Sequence, residues 1–220
     1  MEFTIRDAKP SDGGFIARNV LAAMGYDVFT DAVADSRIEV GSASLNIQDA
    51  IKAFGEVCAR PDTLYSYTRT RVACVDGKAV GTLTAYSGDD YQPLRGFTWG
   101  LLNTVFATAE GISSDEDVAS EMPDTEPECR PGEFYLDSMA ILPEFRRMTF
   151  EYAGSTDRIG HLLMFDGIEQ GRQKGFPRIS LIVDKAKPRL FTYYSALGFR
   201  PDGEILFFGH LYDRMIKDLD

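Results

Sequence analysis

The chain has 220 residues, 44% of them apolar, which is enough to bury a full core in one α/β domain. Its net charge of -11 argues against a general nucleic-acid binder, because neutralising a phosphate backbone takes clustered Lys and Arg; a cationic small molecule or peptide amine is the better-matched partner. No apolar run approaches the roughly 20 residues that span a bilayer, and Met1-Glu2-Phe3-Thr4-Ile5-Arg6 lacks the pattern of a signal peptide, so a soluble, cytoplasmic protein without a membrane partner is expected.

Residues 3–6 read as a strand, and Pro10-Ser11-Asp12 as a helix start ahead of Phe15, Ile16, Val20 and Leu21 at helical spacing. A second amphipathic helix is predicted after Ser44, with Leu45, Ile47, Ile51, Phe54 and Val57 on one side, ending before Pro61. Asp76-Gly77 supplies the positive φ angles of a tight turn, so residues 71–75 and 78–86 form a hairpin. A helix over 93–109 carries Phe97, Trp99, Leu101, Leu102, Val105 and Phe106 as core, as a dimer-facing surface or as a pocket wall. The acidic residues from Ser114 to Glu128 read as a solvated, mobile loop placed to attract an amine.

Residues 133–141 have strand character, and alternation puts Glu133, Tyr135, Asp137, Met139 and Ile141 on one face. Then come a helix over 157–174 ended by Gly175-Phe176-Pro177, a strand over 178–183, a helix over 188–196 and a strand region over 204–215. No internal repeat or inter-domain linker is evident, so residues 1–220 form a single domain with an insertion at about 87–131. Cys58, Cys74 and Cys129 are odd in number and have no CxxC partner and only two histidines beside them; they read as buried, reduced thiols, with no metal site.

Two segments carry a resemblance. Leu136-Asp137-Ser138-Met139-Ala140-Ile141-Leu142-Pro143-Glu144-Phe145-Arg146 is similar to the fourth core strand and its exit in the Gcn5-related N-acetyltransferase (GNAT) superfamily. Leu190-Phe191-Thr192-Tyr193-Tyr194-Ser195-Ala196-Leu197-Gly198-Phe199 looks like that family's helix ending in Leu-Tyr-x-x-x-Gly-Phe. The resemblance implies an α/β (α+β) fold with a mixed central sheet flanked by helices, its fourth and fifth core strands splayed. It also implies acyl-CoA-dependent transfer, with acetyl-CoA as cosubstrate, to an amine of a small molecule or peptide by direct attack in a ternary complex. Homodimerisation is left open.

A splayed strand leaves N–H and C=O groups unpaired, and a pantetheine arm can pair with them as an added strand would. Met139, Ala140 and Ile141 are placed to offer that edge. The pyrophosphate needs converging N–H donors at a helix start, which the resemblance assigns to Arg158-Ile159-Gly160, with Arg146 and Arg147 upstream. The family's loop has Arg or Gln, two residues, Gly, one residue, then Gly or Ala. Here residues 148–157 are extra, Ser155 stands at the leading position and Arg158 at the first Gly. Lys187 occupies the place of a common Asn at the next helix start, as a phosphate contact or an exposed lysine.

By resemblance Tyr194 is the general acid, against the reading of a core tyrosine, while Tyr193 packs. Asp137 and Glu133 are the candidate bases; the alternatives are a buried structural acid and a solvated strand edge. His161 and His210 have no triad-like neighbours and read as structural. The rival to an enzyme is a non-catalytic acyl-CoA-binding or regulatory protein on the same fold with a degenerate pyrophosphate loop.

Overall fold

The computed structural model describes residues 1–29, 37–112, 126–207 and 209–219. In chain order the first half comprises β1 (Phe3–Asp7), α1 (Gly13–Met24), β2 (Arg37–Val40), β3 (Ala43–Asn46), α2 (Ile47–Cys58), β4 (Thr70–Val75), β5 (Lys78–Ser87) and α3 (Gly88–Glu110). The second half comprises β6 (Phe134–Ile141), β7 (Thr149–Tyr152), β8 (Ser155–Arg158), α4 (Ile159–Gln173), β9 (Arg178–Asp184), α5 (Pro188–Ala196), β10 (Arg200–Phe207) and β11 (His210–Asp218). The acidic run expected to form a mobile loop lies outside the described residues except for its end, from Glu126.

Several boundaries differ from the sequence reading, each for a local reason. The second helix starts at Ile47 because Ala43–Asn46 pairs with β2, and the Asn46 side chain caps it by accepting the N–H groups of Gln48 and Asp49 at 3.0 Å each. The third helix starts at Gly88, ahead of Pro93, because Ser87 accepts the Asp89 N–H at 3.1 Å; Pro93 then lies inside the helix. Residues 149–158 form a hairpin whose turn, Ala153-Gly154, takes φ of 50° and 80°. The final strand region is two antiparallel strands, β10 and β11.

Seven strands form one sheet in the order β1-β4-β5-β6-β9-β11-β10. On one face α1, α2 and α3 bury Ile16, Val20, Phe54 and Phe106 with Val72, Tyr86 and Tyr135. On the other, α4 buries Leu162 and Leu163 with Leu83, Leu136 and Ile179, and Tyr194 of α5 and Leu197 just after it pack against the same cluster. The α4 helix lies close to the sheet because Gly167 and Gly171 face it. A Cβ at either would come within 2.6 Å of Leu83 or 2.4 Å of Ile179. The β7–β8 hairpin docks beside β1, with the Phe150 ring stacked on Phe3 at 5.0 Å and the Tyr152 hydroxyl donating to Asp166 at 2.8 Å.

The sheet is nearly two sheets. Strands β6 and β9 are parallel neighbours that meet only at Phe134–Ile179 and Tyr135–Ser180, after which they part. At the closed end Arg214 of β11 reaches across β9 to both carboxylate oxygens of Glu133, and its other terminal nitrogen meets Asp202 of β10. Both Arg214 and Glu133 are buried. Burial pushes the Glu133 carboxyl up, but hydrogen bonds from Arg214 and from the Arg130 N–H more than offset this and leave it below its ordinary value.

Removing one partner strands a buried charge, so Glu133→Ala is expected to cost about 3–5 kcal/mol, read as a lower urea midpoint. A depressed carboxyl stabilises above the unfolded value of 4.5, and that contribution is lost as pH falls through the folded value. The variant's stability is therefore expected to fall less steeply with acid than the parent's.

Candidate active site

A β-bulge in β6 sets the site. Leu83 pairs with Met139 and Ala85 with Leu136, so β6 carries one residue more than β5 between those rungs, at Asp137-Ser138. The bulge changes the phase of the strand. Tyr135 belongs to the core under α1–α3, and Asp137 also points there, accepting the Tyr86 hydroxyl at 2.6 Å. Met139 and Ile141 pack instead with the α4-side cluster. The single shared face expected for Glu133, Tyr135, Asp137, Met139 and Ile141 is thus divided, because strict alternation fails where a residue is inserted.

The bulge lies where β6 leaves β9. The Leu142 N–H donates to Val80 O on the β5 side at 2.8 Å, so alternation turns the peptide groups of Met139 and Ile141 to the gap and those of Ala140 to β5. Arg146 folds back, its Nε donating to Ile141 O at 2.9 Å while its guanidinium lies over the Phe29 ring. Arg147 is exposed beside it.

The strand exit leads through the β7–β8 hairpin to the start of α4. Arg158 is the N-cap residue and provides no side-chain cap, so the opening N–H groups of the helix have no capping side chain from it. Ile159 is buried, and Gly160 faces β6, where a Cβ would stand 3.4 Å from Ile141 Cδ1. The end of β6 and the start of α4 are therefore in contact. Asp157 sits at this opening and accepts the Arg158 N–H at 2.7 Å, with its other oxygen 2.7 Å from His161 Nδ1.

Helix α5 begins at the same open end, after β9, with Lys187 exposed at its N-cap and making no side-chain cap. Tyr193 is placed against His161, ring centroids 5.9 Å apart, and Tyr194 against Phe199 at 5.9 Å. Burial raises the Tyr194 hydroxyl to about 12, so it keeps its proton throughout the neutral range.

On the opposite face the gap is bordered by two acids, Asp137, half-buried, and Glu128, buried. Asp137 takes hydrogen bonds from Tyr86 and from Ser138 Oγ at 2.7 Å; burial nevertheless raises its carboxyl. Glu128 accepts the Tyr91 hydroxyl at 3.1 Å and the Tyr135 hydroxyl at 2.7 Å, and burial together with the charge of Asp137 raises it to about 8. Glu133, by contrast, is held ionised in its pair with Arg214 and is committed to the closed end of the sheet.

A cavity of about 500 Å³ adjoins Glu128. Its wall includes Tyr65 and Glu128 on the β6 side and Phe207, His210 and Tyr212 on the β10–β11 side, with Trp99 of α3 and Phe54 of α2 over it. Glu128 lines it directly; Asp137 lies behind the wall, linked to Glu128 through Tyr86 and Tyr135, whose rings are 5.5 Å apart and whose hydroxyls donate to Asp137 and Glu128 respectively. The sequence reading passed over Glu128 as one more acid of a solvated run. The available signal was its neighbour Cys129, an apolar residue marking where that run turns inward. Cys58, Cys74 and Cys129 are all buried free thiols.

No protein-family model matches the chain, and no curated protein matches it in sequence. Solved structures match along their full length. The crystal structure of an acetyltransferase is 26% identical, with a TM-score of 0.67 over 99% of this chain and 100% of the other. An N-acetyltransferase from Staphylococcus aureus Mu50 is 20% identical, with a TM-score of 0.66 over 97% and 100%. The PaiA N-acetyltransferase from Thermoplasma acidophilum, in complex with coenzyme A, is 14% identical, with a TM-score of 0.52 over 100% of both chains. Among the described residues no helix is long and apolar enough to cross a membrane.

Glu128 holds its proton in the native state up to about 8, whereas an unfolded carboxyl loses it near 4.5. Stability is therefore expected to fall as pH rises across that window and to level off above it. Glu128→Gln should remove most of this slope, read from urea midpoints on either side of the window.

Proposed function

We propose that this chain, whose fold is that of the Gcn5-related N-acetyltransferases, is an acyl-CoA-dependent N-acyltransferase that moves acetyl from acetyl-CoA to an amine by direct attack in a ternary complex. The observation that carries this reading is the opening of the sheet between β6 and β9 against the start of α4, a helix without a side-chain cap. The residues present fit the cosubstrate. The Met139 peptide groups and the Ile141 N–H turn to the gap, where an extended pantetheine arm would find partners, while the Ile141 carbonyl already accepts from Arg146. The N–H groups of Ile159 and Gly160 open α4, where a pyrophosphate is favoured. Arg147, Arg158 and Lys187 supply exposed positive charge at the same end, while Arg146 fixes the strand exit.

Bound acetyl-CoA would supply an activated acetyl thioester; the protein supplies the proton transfers and the alignment. An attacking amine must lose a proton, and the Asp137–Glu128 pair is the acceptor we assign. Burial and the charge of Asp137 lift Glu128 to about 8, so the pair's capacity to accept a proton grows as pH rises toward that value. Tyr86, Tyr91 and Tyr135 fix the orientation of both carboxylates through their hydroxyls. At the other end Tyr194 retains a proton at Oη for transfer. Glu133 positions β6 and takes no proton in this scheme, since Arg214 keeps it ionised.

The alternative, a non-catalytic acyl-CoA-binding or regulatory protein, is favoured by one observation. Asp157 accepts the Arg158 N–H at the start of α4, putting a negative charge where phosphates would approach. Calorimetric titration with acetyl-CoA separates the two readings: saturable binding is expected, and none at millimolar ligand would favour the alternative. For the enzyme, Tyr194→Phe should lower kcat for coenzyme A release by about a hundredfold with acetyl-CoA affinity preserved. An unchanged kcat would remove Tyr194 from the mechanism.

A further inference from the structure

The cavity beside Glu128 has a definite chemical character. Its volume of about 500 Å³ suits a small organic ligand, and Leu64, Leu102, Phe106 and Phe207 join Phe54 and Trp99 in its wall. Among the described residues its lining acids are Glu39 and Glu128, and Arg95 is a cation in the same wall. The Thr98 hydroxyl there already accepts the Leu64 N–H at 2.8 Å.

This composition discriminates among amines. A polyamine would bring several ammonium groups, and those beyond the reach of two carboxylates would be desolvated against aromatic rings. A peptide would bring a backbone amide at every residue, and those lying against Leu64, Leu102, Phe106 and Phe207 would find no partner. An amine with one nitrogen and an apolar, ring-bearing body leaves neither debt: its ring fills the apolar wall while its nitrogen lies toward the carboxylate at the inner end.

Resting on the acyltransfer reading above, we infer that the acceptor is a primary amine bearing an aromatic or similarly apolar body, seated in this cavity with its nitrogen toward Glu128. The cavity spans from the Glu128 side to Tyr212 of β11. Glu128 accepts the hydroxyl of Tyr135, two residues before Asp137, so a nitrogen at Glu128 lies on the side of the sheet to which the bulge turns Asp137.

Trp99 is the chain's one tryptophan and lies in the cavity wall, so its fluorescence reports occupancy independently of catalysis. The experiment titrates full-length protein with 2-phenylethylamine, spermidine and a tetrapeptide with a free N-terminus, and measures coenzyme A release with each under saturating acetyl-CoA. We expect saturable change in Trp99 emission with 2-phenylethylamine, and a kcat/KM at least about tenfold above the other two, consistent with the discrimination an apolar pocket gives. Val40→Phe, which narrows the cavity from the peripheral β2 strand, should raise KM for 2-phenylethylamine and leave acetyl-CoA affinity unchanged. A preference for spermidine or peptide overturns the inference while leaving acyltransfer intact. Silence of Trp99 toward 2-phenylethylamine also overturns it, whatever the activity. If Trp99 responds but acetyl-CoA fails to bind, the acyltransfer reading falls and the cavity stands as an amine-binding site.

Discussion

The rest of the molecule depends on how little joins β6 to β9. Two rungs of parallel pairing and the buried Glu133–Arg214 ion pair hold one half of the sheet to the other. A longer ladder would close the gap and satisfy the Met139 peptide groups and the Ile141 N–H within the protein, leaving no edge for a ligand. A weaker join would let the halves separate. A charge pair suits this place because it anchors one point across a third strand without requiring the strands to stay together beyond it. Ion pairs of this kind are poor sources of net stability, and their attested use is in fixing register. Here the register fixed is that of β6 against β9, and it decides where the opening begins.

The bulge at Asp137-Ser138 performs the second half of the construction. By inserting one residue it sends Asp137 toward the helices that cover one face and Met139 and Ile141 toward the face covered by α4. One strand thus serves both sides of the gap: an acid and its tyrosine partner on one side, apolar contact with Gly160 on the other. The carboxyls of Asp137 and Glu128 are raised because the three-layer core removes them from water, and three tyrosine hydroxyls meet their hydrogen-bonding needs without supplying a compensating charge.

Much of this was legible in the sequence, and the parts that were not have physical causes. Asp76-Gly77 announced its hairpin because a tight two-residue turn demands positive φ angles, and the segments around Asp137 and Tyr194 announced the fold because their order is specific. The equivalent turn at Ala153-Gly154 stayed hidden, since alanine seldom takes φ of 50° and the strands on either side are four residues each. The face of Asp137 was read correctly only as far as the bulge, which depends on pairing with β5 and has no mark within β6. Glu133 looked like a strand-edge acid because its partner, Arg214, is 81 residues away. Glu128 was lost in a run of acids, although burial sets it apart from them, and burial is a property of the tertiary fold.

The altered connection between β6 and α4 also follows from these forces. In place of a short glycine-rich loop the chain inserts a hairpin, and Phe150 and Tyr152 anchor it to Phe3 and Asp166, well supported on the sheet's outer edge. That anchorage delivers the chain to Arg158 from a fixed direction, which is what the missing glycine would otherwise have had to achieve by backbone freedom. Arg158 at the N-cap then takes an extended conformation, φ -71° and ψ 150°, that any residue adopts. The bulky side chain therefore imposes no strain on the turn into α4. What distinguishes this opening is charge: Asp157 holds the Arg158 N–H and sits beside His161, so an anion arriving at the helix start must compete with a carboxylate already there. The exposed guanidinium of Arg158 is the adjoining positive charge. A phosphate approaching this helix would therefore meet the opposed charges of Asp157 and Arg158 as well as the backbone donors of its first turn.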